Sequence, residues 1–275
     1  MSATQADKAE QFLKLHRKGE PLLMPNAWDV GSAGILAWLG FHALATTSSG
    51  HAATLGRLDG GVTREEALAH ATEMSAGTDL PVSADFENAF ADDPDGVADT
   101  IRQARETGLA GCSVEDYSGR SDDPIYERAL ARERIVAAAE IAHSASVRMV
   151  LTARAENLIR GRDDLADTIE RLQAYQEAGA DVLFAPGLST AKDIWEVVES
   201  VDRPVSVLAV RGTPGTAELA VFGVARVSVG GAFAFAALAG LREAAEELRD
   251  RGTYGYLERT ALGVQAARAA FKRSD

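Results

Sequence analysis

Residues 97–115 read VADTIRQARETGLAGCSVE, and this stretch shows the pattern that decides the fold. Apolar residues recur at helical spacing over 97–106, Gly108 follows, and a short apolar strand is predicted at 112–115. Glycine often ends a helix because it adopts the left-handed backbone that closes the last turn. The stretch therefore predicts a helix that is followed at once by a buried strand.

The same order of helix, glycine and strand recurs along the chain. Gly40, Gly179 and Gly223 stand, like Gly108, between a helical pattern and a short apolar run. Eight predicted strands alternate with eight predicted helices, which is typical of a parallel sheet with crossover helices. The strands are predicted at 22–25, 43–47, 82–85, 112–115, 149–153, 182–185, 205–208 and 226–229. The helices are predicted at 30–39, 63–75, 97–106, 129–143, 165–178, 191–199, 216–221 and 233–251.

A unit of about 35 residues repeated eight times favours an α/β fold of the (β/α)8 TIM-type barrel class. A doubly wound open sheet is the alternative, but it usually carries a glycine-rich phosphate loop after its first strand. Here the first strand runs into MPNAWD at 24–29. Further helices are predicted at 3–17, before the barrel, and at 254–271, after it. We therefore predict one barrel domain over residues 1–275, with a C-terminal helical extension over about 253–275.

The composition limits the partners that the protein can have. The 275 residues include 28 Lys and Arg against 41 Asp and Glu, a formal net charge of −13 with neutral histidines. An acidic surface repels polyphosphate and no basic stripe offsets it, so no nucleic-acid partner is expected. The longest apolar run, 227–241, is shorter than the roughly 20 residues that span a bilayer, so no membrane partner is expected.

The expected location is a reducing cytoplasm. The single cysteine, Cys112, cannot close an intrachain disulfide. The N-terminal residues also lack the basic region and apolar core of a signal peptide.

Acidic side chains cluster at the predicted carboxyl ends of the strands, where the active sites of such barrels lie. Asp85 and Glu87 share one face at the end of the third strand, Glu115 ends the fourth, and Asp59 follows the second. Converging carboxylates repel each other unless a cation lies between them. All-oxygen ligands favour a hard ion, so Mg2+ is the expected metal. The alternative is that these acids cap helices or pair with arginines across the rim.

Arg154 ends the predicted fifth strand and belongs to the same mouth. Its planar guanidinium matches a carboxylate, so an anionic group of the substrate is one candidate partner. A salt bridge from Arg154 to Glu115 or Glu156 is the other.

A run of small residues, TTSSGH at 46–51, follows the second strand. Its backbone N–H groups could approach a substrate oxygen, which makes Ser48, Ser49 and Gly50 candidate substrate-binding residues. A plain tight turn is the alternative. His51 can serve as an acid or base near neutral pH, although a lone histidine on a loop is more often simply solvated.

Taken in order, these segments resemble the isocitrate lyase and phosphoenolpyruvate mutase superfamily. The resemblance rests on PNAWD at 25–29, TSSG at 47–50, LGRLD at 55–59, DFE at 85–87, VED at 114–116, ARAE at 153–156 and AGAD at 178–181. It implies a Mg2+-dependent enzyme that cleaves a bond beside a 2-oxo acid and leaves an enolate. It also implies that the protein forms a homotetramer.

The resemblance assigns roles by position. Asp85 would bind the metal directly, and the other acids would act through water or hold neighbouring groups. Arg154 would pair with the substrate carboxylate or with the developing oxyanion. The predicted metal-site residues are Asp85, Glu87, Asp59 and Glu115. The predicted substrate-binding residues are Ser48, Ser49, Gly50 and Arg154. The predicted catalytic residues are Arg154, Glu115 and His51.

The chain departs from the family after the fourth strand, where residues 117–124 read YSGRSDDP. Lyase members carry a Lys-Arg/Lys-Cys-Gly-His gate there, whose cysteine delivers a proton, and the mutases carry a lysine and an asparagine. Neither set is present, and Cys112 begins the strand, at the end opposite the mouth. The usual Gly-Tyr-Gly after the third-strand acids is Asn88-Ala89-Phe90 here, and Glu87 stands where aspartate is common.

Three functions therefore stay open. The favoured one is a Mg2+-dependent carbon-carbon lyase or decarboxylase for a small 2-oxo or 2-hydroxy dicarboxylate, because decarboxylation needs no gate acid to break the bond. The alternatives are a phosphonate phosphorus-carbon mutase or hydrolase, and a non-catalytic barrel that binds an oxo acid. The apolar run 232–239 further predicts that the last helices are exchanged or packed between subunits, because one barrel wall cannot bury it all.

Overall fold

Eight parallel strands form the centre of the computed structural model, which describes residues 3–144 and 147–271. The strands are β1 Leu22–Met24, β2 Leu44–Ala45, β3 Val82–Asp85, β4 Gly111–Glu115, β5 Val150–Arg154, β6 Val182–Phe184, β7 Val205–Leu208 and β8 Arg226–Ser228. Their order in space is β1, β8, β7, β6, β5, β4, β3, β2. A parallel bridge between Asn26 and Ala45 joins the two ends of this order, so the sheet curls into a nearly closed barrel. The predicted TIM-type barrel is confirmed.

Helices surround the barrel, and most of them connect one strand to the next. They are α1 Gln5–Lys14, α2 Val30–Trp38, α3 Ser48–Thr54, α4 Arg64–Ala76, α5 Pro94–Arg105, α6 Arg128–Ala142, α7 Leu165–Glu177, α8 Ala191–Ser200, α9 Thr216–Val221, α10 Ala232–Arg251 and α11 Leu257–Ala270. The predicted helices are all present, with ends that differ by a few residues. Positive φ at Gly40, Gly108, Gly179 and Gly223 confirms that these glycines end helices. The sequence did not predict α3 or the short 3-10 helix Asn157–Arg160.

The barrel interior is apolar at one end and polar above it. Phe12 of α1 is fully buried at the amino-terminal end of the strands, where it packs with Leu22, Val150 and Val182. Above this cluster, small hydroxyl side chains replace the bulky branched residues that usually fill such barrels. The hydroxyl side chains inside the barrel are Ser83, Ser113, Thr152, Ser206 and Ser228.

The two C-terminal helices leave much apolar surface uncovered. In α10 only Ala234 is buried, and in α11 no residue is buried. Phe235 is 49% exposed and Leu262 is 67% exposed. The end of α11 returns to the same chain, because the Phe271 ring lies against Gly34 of α2. Among the described helices, none has the length and apolar character needed to cross a bilayer.

Candidate active site

Arg154 lies at the carboxyl end of β5, surrounded by three carboxylates. Its Nη1 donates to Asp85 Oδ1 at 2.7 Å, and its Nη2 lies 2.8 Å from Glu115 Oε2. Nη2 also lies 2.8 Å from Glu156 Oε1, to which Nε donates at 3.0 Å. The acids of β3 and β4 therefore converge as expected, and the alternative partners of Arg154, Glu115 and Glu156, are both in contact with it. The cation between the acids is a guanidinium.

Burial dominates the electrostatics of this cluster. It raises the pKa of Glu115 well above its usual value, although Arg154 opposes the shift. Burial also raises the pKa of Glu156, again against Arg154. For Arg154 burial acts in the opposite direction, but Glu115, Glu156 and Asp85 outweigh it and hold the pKa well above the usual value. Arg154 thus favours the charged forms of Glu115 and Glu156, and the surrounding acids favour the charged form of Arg154.

Glu87 and Asp59 lie beside Asp85. Burial, followed by the charges of Asp85 and Asp59, raises the pKa of Glu87 to about 7. Glu87 has a φ of 49°, and Ala89 and Phe90 have φ values of 60° and 57°. A left-handed backbone is costly for residues with a Cβ and is found mostly where a site demands it. The backbone after β3 is therefore held in a strained form that turns Glu87 towards the mouth.

Two adjoining cavities share Ser48, Asp59 and Arg154 in their linings. The inner cavity measures about 140 Å3, extends into the barrel and is lined by Asp85. The outer cavity measures about 370 Å3 and is lined by Glu87, Glu115, Tyr117 and Arg160, among others. The predicted acids and Arg154 therefore face one continuous mouth.

The side chains of the predicted metal-site residues are not arranged as a complete set of metal ligands. Within residues 3–144 and 147–271, no three His, Cys, Asp or Glu side chains form a ready metal-binding group. Asp85 explains this in part, because Oδ1 accepts from Arg154 and Glu87, and Oδ2 accepts from the Ser48 N–H at 3.3 Å. The acids around the mouth nonetheless provide only oxygen donors, which is the set that a hard divalent ion takes. The donor chemistry fits Mg2+.

Ser48, Ser49 and Gly50 form the first turn of α3, at a place where the sequence predicts only a loop or a tight turn. Thr47 caps this helix, because its hydroxyl accepts from the Gly50 N–H at 3.3 Å and lies 3.1 Å from Ser49 Oγ. Ser48 and Ser49 line the inner cavity with Asp85. The structure therefore brings the predicted serines to the same cavity as the predicted metal ligand.

Gly50 is tightly enclosed, which leads to a testable prediction. A Cβ there would lie 2.6 Å from Thr47 Cγ2 and 3.0 Å from Trp28 Cβ. Gly50→Ala must displace the first turn of α3, so we expect the free energy of unfolding to fall by about 1–3 kcal/mol in a urea titration. Gly240→Ala is the matched control, because a Cβ at Gly240 of α10 meets nothing within 4 Å. Equal unfolding free energies for the two variants would contradict the prediction.

His51 does not join the residues that line the two main cavities. Its ring stacks on His70, with centroids 3.8 Å apart and an angle of 8° between the planes. His70 Nε2 is 3.1 Å from the Trp28 carbonyl oxygen. Burial lowers the pKa of His51 and takes that of His70 to about 4. Both rings are therefore neutral at pH 7, and His51 lines a separate small cavity with Ser48, Asp85 and Glu87.

The segment after β4 lies at the outer cavity, which Tyr117 and Gly119 help to line. Arg120 forms ion pairs with Asp92 and Asp123, on the rim. Cys112 is buried in β4, and burial raises the pKa of its thiol to about 12, so it cannot supply a reactive thiolate or an acid at the mouth.

Two residues at the mouth were missed by the sequence analysis. The Arg160 guanidinium lies 3.6 Å from the centroid of the Tyr117 ring, and Nη2 is 3.5 Å from Glu156 Oε2. Both side chains line the outer cavity. The only signal in the sequence was a cation four residues after Glu156, which fits a single helical turn.

The fold and the acid-lined mouth define a TIM-barrel protein with a strand-end site of the kind that enzymes of this fold use. Residues 12–249 match the family model described as phosphoenolpyruvate phosphomutase, and the chain belongs to that family. The predicted membership of the isocitrate lyase and phosphoenolpyruvate mutase superfamily is confirmed.

Similar proteins include structures and enzymes from several bacteria. A crystal structure of a lyase/mutase candidate from Burkholderia cenocepacia J2315 is 46% identical, with a TM-score of 0.94, and 98% of each chain is covered. The 2-methylisocitrate lyase of Bacillus subtilis is 30% identical over 75% of this chain and 68% of the lyase. An oxaloacetate decarboxylase of Chromohalobacter salexigens is 28% identical over 90% of this chain and 87% of that protein.

Proposed function

We propose that this protein is a Mg2+-dependent carbon-carbon lyase or decarboxylase that acts on a small 2-oxo or 2-hydroxy dicarboxylate through an enolate. The observation that carries the proposal is the convergence of Asp85, Arg154 and the first turn of α3 on one cavity. The similarity to a 2-methylisocitrate lyase and to an oxaloacetate decarboxylase supports the reaction class.

Mg2+ is the proposed cofactor because the mouth offers carboxylate oxygens from separate elements. Asp85 would hold the ion directly, and Asp59, Glu87 and Glu115 would hold it through water. When bound, the ion would polarise the 2-oxo group and stabilise the negative charge that develops beside it.

Arg154 positions the acids and can still contact the substrate. A guanidinium carries five N–H groups, and two of them are on Nη1. One N–H of Nη1 donates to Asp85, which leaves the other to donate to a substrate carboxylate or to the developing oxyanion. Ser48 and Ser49 would hold the carboxylate end of the substrate from the opposite wall of the cavity.

Decarboxylation suits this chain better than a reaction that needs the gate acid. The segment 117–124 provides no cysteine or lysine, and breaking a carbon-carboxylate bond requires no proton donor at that step. Phosphorus-carbon chemistry is the second candidate, because the family model that matches is that of a phosphomutase. Its lysine and asparagine are absent from the same segment. A barrel that binds an oxo acid without turnover is the remaining alternative.

A substrate panel tests the proposal. Oxaloacetate, other 2-oxo and 2-hydroxy dicarboxylates, and phosphonopyruvate are assayed with Mg2+ and with a chelator. Pyruvate formation from oxaloacetate that exceeds the protein-free rate at the same Mg2+ concentration and stops with the chelator supports the decarboxylase. Turnover of phosphonopyruvate alone supports the second candidate, and Mg2+-dependent oxalate binding without any turnover supports the binding barrel.

We also propose that the protein is a homotetramer in which the last helices pack between subunits. The uncovered apolar side chains of α10 and α11 support this, since exposed patches of this kind usually mark an interface. Light scattering should find a tetramer for the intact chain and a smaller assembly for a chain that ends at Gly252. A monomer for the intact chain contradicts the proposal, and an unchanged tetramer after truncation excludes a role for α11. The cytoplasmic location stays a prediction.

A further inference from the structure

Arg226 lies inside the barrel, beneath the mouth. It is the first residue of β8, and 3% of its surface is exposed. Its Nε donates to Ser206 Oγ at 2.8 Å, and its Nη1 donates to Thr152 Oγ1 at 3.1 Å. Nη1 is also 3.4 Å from Nε2 of His16, which lies two residues after the end of α1. Among the described residues, every hydrogen-bond partner of this guanidinium is an uncharged group.

The tautomer of His16 shows that this ring is a neutral hydrogen-bond acceptor for Arg226. Its Nδ1 lies 2.8 Å from the Phe12 carbonyl oxygen, which can only accept, so Nδ1 carries the proton and Nε2 is free to accept from Arg226. Burial, followed by the charge of Arg226, lowers the pKa of His16 to about 3. His16 is therefore neutral at pH 7 and does not compensate or add to the charge of Arg226.

No carboxylate in the described ranges pairs with Arg226. Burial, followed by the charge of Arg154, lowers its pKa to about 9, so the side chain is still a cation at pH 7. The charged group that acts on it most is thus another cation. Buried charges in proteins are almost always paired, because leaving water without a partner is very costly. An anion is the missing partner.

A route for an anion exists. The inner cavity runs from Asp85 and Arg154 at the mouth to Arg226. Its walls include Ser83, Ser113 and Ser228, whose side chains are small and can hydrogen-bond to a carboxylate, beside the apolar Met24 and Leu208. Bulky side chains at these positions would have filled the barrel. The barrel keeps both the space and the polarity that an anionic group needs.

The spacing also suits one particular class of ligand. Arg226 contacts Thr152, which stands two residues before Arg154 on β5. The backbone positions of Thr152 and Arg154 therefore lie about 6–7 Å apart along the strand. This separation is comparable to the length of an extended four-carbon dicarboxylate. Such a ligand can place one carboxylate beside Arg154 and Ser48 and the other beside Arg226.

We propose that Arg226 binds the second carboxylate of the dicarboxylate substrate inside the barrel. The assignment rests on the proposed function, and it distinguishes dicarboxylates from monocarboxylates by a buried charge. A hydrogen-bonded ion pair of this kind is expected to strengthen binding by about 10- to 100-fold.

Malate and lactate form a matched pair of probes, because both are 2-hydroxy acids and only malate has a second carboxylate. Calorimetric titrations in the presence of Mg2+ should show that the wild-type protein binds malate at least about 10-fold more tightly than lactate. In Arg226→Gln this preference should fall below about threefold, with lactate affinity unchanged. Arg203→Gln is the control, because it removes one cation from an exposed position before β7.

A second variant covers the case in which Arg226→Gln fails to fold. Ser228→Val leaves Arg226 in place and narrows the cavity, so it should reduce malate affinity more than lactate affinity. Lactate binding without a preference for malate in the wild-type protein overturns the Arg226 site alone, as does a full preference in either site variant. Failure of the wild-type protein to bind either acid overturns the proposed function and the site together.

Discussion

Replacing Asp85 by Ala is expected to abolish Mg2+ binding and turnover together. Asp85 is the residue through which the proposed metal site, Arg154 and the first turn of α3 are connected, since its oxygens accept from both elements. Changes to groups that merely support a metal ligand cost about 10- to 100-fold in affinity, so loss of the direct ligand should exceed about 100-fold. Calorimetric titration with Mg2+ measures the first effect and an oxaloacetate assay the second.

Asp95→Ala provides the matched control, because Asp95 is an exposed acid in the first turn of α5 that lines neither cavity. It should bind Mg2+ and turn over substrate like the wild-type protein. Unchanged Mg2+ affinity in Asp85→Ala would show that the ion is held elsewhere, and the site assignment would then be wrong.

Arg154→Lys is expected to have the second largest effect. Lysine keeps the charge but presents one ammonium group, which cannot reach Asp85, Glu115 and Glu156 in the geometry of the guanidinium. Truncating one member of a buried charged pair costs about 2–5 kcal/mol, so kcat/KM should fall by at least about 30-fold. The thermal midpoint should fall as well, because two buried carboxylates lose part of their compensation.

An arginine in an exposed ion pair provides a control for the Arg-to-Lys replacement itself. Arg128 pairs with Glu170 on the outside of the barrel, with both side chains well exposed, so Arg128→Lys should leave kcat/KM unchanged. If Arg154→Lys retained full kcat/KM, Arg154 would have no role in substrate recognition. A fall in thermal stability alone, with kcat/KM intact, would restrict it to bracing the acids.

The barrel could be predicted from sequence because its signals are local and repeated. Each helix pattern, glycine and apolar strand is specified within about 20 residues, and parallel strands with crossover helices admit few arrangements. The position of the acids followed from the same argument, since strand ends meet at one mouth. The short helix α3 did not, because Ser48, Ser49 and Gly50 have low helix propensity and the helix depends on a cap from Thr47.

The contacts within the mouth could not be predicted in the same way. Sequence placed Arg154 among acids but gave no distances, so it favoured a substrate anion as the partner and kept Glu115 and Glu156 as the alternative. The left-handed backbone after β3 was also hidden, because Ala89 and Phe90 occupy positions where glycine would have signalled it. In the sequence, Arg226 is the polar first residue of a predicted apolar strand. Only the structure shows that its side chain points into the barrel.

The closed floor of the barrel determines how molecules travel. Phe12 and the apolar cluster around it seal the amino-terminal end, so the inner cavity communicates with solvent through the mouth. Substrate entry and product release must therefore use the same opening, and the product has to leave before the next substrate can enter. The residence time of a molecule in the deepest part of the cavity therefore limits how soon the next molecule can bind there.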